Sequence, residues 1–257
     1  MTRTAVWAAR VAARVVGLCA ASATLSGCGA SPLELGPSGV DGLTVPTPSP
    51  DAADFAGDAT NQWFPLVPGT RWTYRQDSPT GGRSVVAEVM RRRRVIAGVD
   101  TTPVRWQVRS HGTARTVMVR WYAADSGGNV WWFGQRVLAH GGRLDRLAAR
   151  SFQAGREGAE AGLVIAAEPR QGDGYLNAEQ PGVVERRSTV LSLTGTVATS
   201  KQTFHDTVIT RDVAAMDASH TVQTYFARGI GIVAQEDSQE ASTSLSTSLS
   251  LVRMRRG

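Results

Sequence analysis

The chain predicts a mainly β protein: a single domain of antiparallel strands, forming a strongly curved sheet or half-barrel, with little helix outside the N-terminal leader. Three observations carry this. Short apolar segments alternate with polar residues at period two and are broken by Gly, Pro, Asn and Asp turns. No strand–helix–strand nucleotide-binding unit and no long amphipathic helix interrupts them. Trp121–Gly134, WYAADSGGNVWWFG, joins two aromatic-rich arms through a Gly- and Asn-rich turn, as a hairpin does.

The first residues are a leader. Arg3, Arg10 and Arg14 give a positive start without any acid, and Val15–Leu25 is an apolar run too short to span a bilayer. Leu25-Ser26-Gly27-Cys28 resembles the lipobox of bacterial lipoproteins, in which the Cys thiol receives a diacylglyceryl group and a peptidase cuts just before it. The resemblance implies a signal peptide at 1–27, lipidation at Cys28, and a protein exported and anchored to the outer face of the cell membrane. The alternative is an ordinary secretory signal with an incidental Cys.

Removing the leader takes three arginines from a formal charge of +6 and leaves +3. So weak a basicity does not point to nucleic acid. Cys19 leaves with the leader and Cys28 carries lipid, so no thiol of the two present remains for a disulfide, a nucleophile or a thiolate metal site. No cofactor is expected.

Residues 28–60 are rich in Gly, Pro, Ser, Ala, Asp and Thr, a composition that buries too little apolar surface to fold and that reads as a flexible tether. A buried extended arm is the other possibility. The domain then runs over 61–257. Pro68-Gly69 forces a turn before Trp72-Thr73-Tyr74, whose two rings share a face.

Three segments together resemble a family of bacterial envelope lipoproteins without an assigned activity. They are Phe64–Tyr74 (F-P-L-x-P-G-x-x-W-x-Y), the Trp121–Gly134 hairpin (W-Y-A-x-D-x-x-G-N-V-W-x-F-G) and Gly229–Val233 (G-[VI]-G-[LI]-V). Gln135 stands where that family commonly has an acid. The resemblance supports fold and location only.

The remaining strands follow in order. Ser84–Met90 is apolar and β-branched, and Arg91–Arg94 after it offers either a polyanion or lipid patch or simply solvated side chains. In Pro103–Arg109, Val104, Trp106 and Val108 form a core face. In Ala114–Tyr122, Val117, Val119 and Trp121 share one face, and Asn129–Phe133 returns from the turn. Leu138–Glu160 lacks a β pattern and reads as a connection with a short helix at Leu144–Arg150. Gly162–Ala167, Val184–Leu193, Thr203–Val213, Thr221–Ala227 and Ile230–Glu236 are strands, with a bulge or bend at Gly229 and Gly231. Ser242–Leu251 is the last strand, and Arg253–Gly257 a basic tail.

Catalytic motifs are weak. Asp125-Ser126-Gly127-Gly128 resembles the nucleophile segment of trypsin-like proteases, but Ala124 and Asn129 flank it wrongly and no matching histidine segment exists, so it reads as a turn. His111, His140, His205 and His220 have no ligand spacing, and Asp125 with Asn129 lacks the alternating pattern of a Ca²⁺ loop. No metal site is expected. Two functions stay open. One is a non-catalytic binding or accessory module of the envelope, with Trp121, Tyr122, Trp131 and Trp132 contacting an apolar ligand or a partner protein on the curved sheet. The other is an envelope hydrolase using Asp173, His205 or Glu185. Trp131 and Trp132 are consecutive, so their rings must leave opposite faces; the second face is then partly covered by the 138–160 connection or by a ligand, or the ring packs at an edge against a neighbouring loop.

Overall fold

In the computed structural model, the described residues are 50–55, 60–77, 82–110, 113–139, 151–182, 184–214, 217–239 and 248–257. The leader, Cys28 and the expected helix at 144–150 lie outside them. The strands are β1 (Arg71–Asp77), β2 (Arg83–Val89), β3 (Arg94–Ile96), β4 (Val99–Ser110), β5 (Thr113–Ala124), β6 (Val130–Ala139) and β7 (Phe152–Gln153). They continue with β8 (Glu160–Ile165), β9 (Gly174–Gln180), β10 (Val184–Ala198), β11 (Thr203–Ala214), β12 (Asp217–Ala227), β13 (Gly231–Gln239) and β14 (Ser248–Arg255). Among the described residues the one helical element is a 3₁₀ turn at Ala52–Phe55.

The strands run in the order β2-β1-β14-β13-β12-β11-β10-β9-β8-β6-β5-β4, every pairing is antiparallel, and β4 pairs back with β2. The curved sheet therefore closes into a twelve-stranded barrel, with β3 added beside β4 and β7 beside β6. Closure gives each of these twelve strands a partner on both sides, so none of them is an edge strand. The join depends on the two ends of the domain meeting: Arg71 lies opposite Arg255, and Tyr74 opposite Leu251. The expected basic tail is thus mostly strand, because β14 continues to Arg255 to complete its ladder with β1.

Alternation divides the side chains between lumen and exterior. Trp72, Tyr74, Val85, Ala87, Val104 and Trp106 point inward and are buried. On β5, Val117, Val119 and Trp121 share a face as expected, and that face is the exterior. Val104 lies opposite Arg120 and Trp106 opposite Met118, so Met118, Arg120 and Tyr122 face the lumen while Val117, Val119 and Trp121 face out.

One end of the barrel is plugged. Asn61 accepts from the amides of Trp63 and Phe64, and its amide donates to the Gly128 and Ala166 carbonyls. This pins Phe64 in the lumen, 5.2 Å from Tyr122 edge-on and 6.4 Å from both Trp72 and Phe226. The indole of Trp72 donates to the Ile230 carbonyl at 2.7 Å, and the Tyr74 hydroxyl to that of Ile232 at 3.0 Å. Aromatic rings thus fill the end at which β1 begins and β14 finishes, and the polar atoms of Trp72 and Tyr74 are satisfied by backbone.

Two glycines are required by close approach. A Cβ on Gly134, whose φ is 144°, would stand 2.5 Å from the Phe152 carbonyl oxygen, where β6 bulges to admit β7. A Cβ on Gly162 would stand 2.1 Å from the Asn177 carbonyl carbon, where β8 and β9 cross closely.

Candidate functional site: a half-open lumen

Exposure inside the barrel rises away from the plug. On β4, Val104 and Trp106 are buried but Val108 is half-buried; on β5, Tyr122 is buried while Arg120, Met118 and Thr116 are half-buried. Arg186 on β10, Asp212 on β11, Val222 on β12 and Asp237 on β13 repeat the trend at inward positions. The result is a cup with an aromatic floor and mixed charged and apolar walls.

Its central ring is Trp132. The bulge at Phe133 sets Trp132 opposite Tyr122 and into the lumen. The Arg120 guanidinium stacks 5.2 Å from it and the Arg186 guanidinium 5.9 Å, while Phe152 meets it edge-on at 4.9 Å. Arg120 also covers Trp106 at 5.6 Å and donates to Gln135 at 3.3 Å. Cations over indole faces are attracted by the ring quadrupole, and more strongly where water is partly excluded.

The wall acid is Asp212, which accepts a short hydrogen bond from Ser188. Although the residue is half-exposed, its carboxyl is enclosed by protein. Burial raises it above the usual carboxylate range, against the opposing charge of Arg186, the Ser188 bond and the charge of Arg120. Burial likewise pushes the Tyr122 phenol up, against the charge and hydrogen bond of Arg120. Two indole N–H groups near the plugged end, those of Trp63 and Trp106, are buried and have no acceptor, and the Trp106 ring stacks on Tyr74 at 5.9 Å.

The four aromatic residues singled out from sequence divide between the two faces. Tyr122 and Trp132 lie in the lumen. Trp121 and Trp131 face outward, yet both are buried: Arg94 stacks 4.8 Å over Trp121, and Phe55 of the 3₁₀ turn lies 6.4 Å from Trp131 and 5.1 Å from Phe133. The cover on Trp131 thus comes from residues whose composition reads as tether. Arg94 and Arg93, which forms a pair with Asp100 at 3.4 Å, are engaged on this exterior.

Asp125 is a turn residue. Its carboxylate accepts from the Asn129 amide, the Asn129 side chain and the Trp131 indole, which occupies both oxygens. Among the described residues no cluster of three or more His, Cys, Asp or Glu could hold a metal ion. Asp173, Glu185 and His205 are not brought together. Asp173 lies beside Val190 and accepts from Tyr175, whereas His205 faces Thr196. Glu185 and Thr196 are about 37 Å apart along β10 at the usual rise of a strand.

Arg120, Arg186 and Asp212 form the part of this site that the sequence did not reveal. Alternation puts Arg120 on the same face as Tyr122, but only pairing with β4 turns that face inward.

No protein-family model matches the chain, and no curated protein matches it. Two solved structures are similar to it. One is a Bacteroides fragilis protein inferred to be exported and having a YmcC-like fold, at 14% identity and a TM-score of 0.46, over 76% of this chain and 100% of that one. The other is a Parabacteroides distasonis protein inferred to be a lipoprotein, at 10% identity and a TM-score of 0.43, over 77% of this chain and 100% of that one.

Proposed function

We propose that the protein is an exported, lipid-anchored binding module of the cell envelope, without catalytic activity of its own, whose lumen takes an amphipathic ligand. The lipobox-like Leu25–Cys28 supports the anchor. The observation that carries the binding reading is the half-open cup around the Arg120–Trp132–Arg186 stack, whose inward side chains grow more exposed away from the aromatic floor. Met118, Val108 and Val222 offer an apolar surface, while the half-buried Arg120 offers polar recognition. This is the usual composition of a small-molecule site: largely apolar, with a few placed polar groups. The curved surface expected to hold the ligand is accordingly the inside of the barrel.

The test is organic extraction and mass spectrometry of the full chain, isolated from membranes in polymer discs without detergent. The parent protein retains an amphipathic molecule in stoichiometric amount. Met118→Trp, which fills the cup, retains none while its melting temperature holds. Absence of any such molecule from the parent, or equal retention by the variant, overturns the reading.

A further inference from the structure

A second site lies on the outside of the barrel. Where β14, β1, β2 and β4 run side by side, a groove of about 280 Å³ is rimmed by Arg71, Arg109, Arg253 and Arg255. Its floor is Thr73, Ser84, Val86 and Gln107. The ladders fix this arrangement. Arg255 is opposite Arg71, Arg253 opposite Thr73, Val86 opposite both Thr73 and Gln107, and Ser84 opposite Arg109. At about 4.8 Å between strands and about 3.4 Å per residue, Arg255 and Arg109 stand roughly 20 Å apart on the diagonal.

The sector is strongly cationic although the mature chain is nearly balanced. Its outward positions on these four strands carry six arginines against two carboxylates. Glu88 is shared by Arg71 at 3.1 Å and Arg105 at 2.9 Å, and Asp77 is held by Arg75 at 2.8 Å. Among the described residues, no carboxylate pairs with Arg109, Arg253 or Arg255. A cluster of like charges left without counter-charge repels itself, so an anion that neutralises it is bound favourably.

We propose that this groove binds an extended acidic polysaccharide, independently of the lumen. Cations at both ends of a 20 Å diagonal suit a chain with repeated anionic groups better than a single phosphate. The hydroxyl and amide floor suits the hydroxyl groups of sugars. A face that docks on anionic lipid needs apolar side chains to insert; the exposed large apolar residues among those described are Val67, Val95, Leu138 and Leu193, all outside the groove. A face for single-stranded nucleic acid needs stacking rings, and the groove lining contains none.

The experiment uses the full chain in phosphatidylcholine nanodiscs, titrated at low salt with polygalacturonate fragments, dextran fragments of equal length and inorganic phosphate. Polygalacturonate binds, salt weakens it steeply, and the triple variant R109Q/R253Q/R255Q loses affinity by roughly tenfold or more while Arg156→Gln does not. On the unaltered protein, polygalacturonate shields Arg109, Arg253 and Arg255, but not Arg156, from phenylglyoxal. This readout holds even if the triple variant folds poorly. Equal binding of dextran, phosphate binding as tight as that of polygalacturonate, or an unaffected triple variant overturns the proposal. So does shielding of the three arginines by discs of equimolar phosphatidylglycerol and phosphatidylcholine when polygalacturonate gives none.

Discussion

The indole of Trp131 donates to the carboxylate of Asp125 at 2.8 Å across the β5–β6 turn. The same carboxylate takes the Asn129 amide at 2.9 Å and the Asn129 side chain at 2.8 Å. The most proteolytic-looking segment of the chain is therefore a structural clamp, and it is aimed at a tryptophan on the exterior of the barrel. Asp125→Ala leaves buried donors unpaired and should cost about 1–3 kcal/mol, read as a lowered urea midpoint. Ser126→Ala, at an exposed turn position, should leave that midpoint unchanged. Equal effects from the two substitutions would refute the clamp.

Trp106 separates the packing of a ring from the cost of its polar atom. Trp106→Ala removes a buried ring stacked on Tyr74 and should destabilise the domain by roughly 3–5 kcal/mol. Trp106→Phe keeps most of the packing and removes only the unpaired N–H. Its melting temperature should stay close to that of the parent, because the lost donor had no partner. A loss as large as that of the Ala variant would show that the N–H, not the ring, is what the fold needs.

Two acids should give stability profiles of opposite slope. Asp212 has its folded value raised above the ordinary 3.8 by burial. Its proton therefore favours the native state in acid, and that benefit is lost as pH rises from the ordinary value through the raised one. Burial alone would raise Glu88 too, but the hydrogen bonds and charges of Arg105 and Arg71 outweigh it and hold the carboxyl below its ordinary 4.5. Its contribution is present above that value and is lost as pH falls through the lowered one. Urea titrations from acid to neutral pH should show the parent losing ground to Asp212→Asn as pH rises, and to Glu88→Gln as pH falls. Parallel profiles for the two variants would contradict the assignment.

Cys28→Ala should abolish anchoring. Acyl chains contribute about 0.8 kcal/mol per buried methylene, enough with two or more chains to hold a protein at a membrane. The variant should accumulate as an uncleaved precursor, visible as a mass larger by the leader and lacking lipid. Processing and lipid attachment identical to the parent's would exclude lipidation at this residue.

Most of the strands were legible because their signal is local. The Pro68-Gly69 turn, the Val104–Trp106–Val108 face and the Trp121–Gly134 hairpin each rest on neighbours within a few residues, where period two and turn chemistry act directly. The sequence also required Trp131 and Trp132 to part, since consecutive strand residues cannot share a face. It did not determine which face of β5 is the inside. Both faces of that strand carry apolar residues, Val117, Val119 and Trp121 on one and Met118 and Tyr122 on the other, so hydrophobicity balances and only pairing with β4 decides. Closure belonged to the tertiary structure for the same reason. Arg71 and Arg255 are opposite one another across nearly the whole domain, and no local propensity reports a contact of that separation. That single long-range ladder encloses the lumen around Trp132, turns the basic C-terminus into strand, and sets Arg253 and Arg255 beside Arg71.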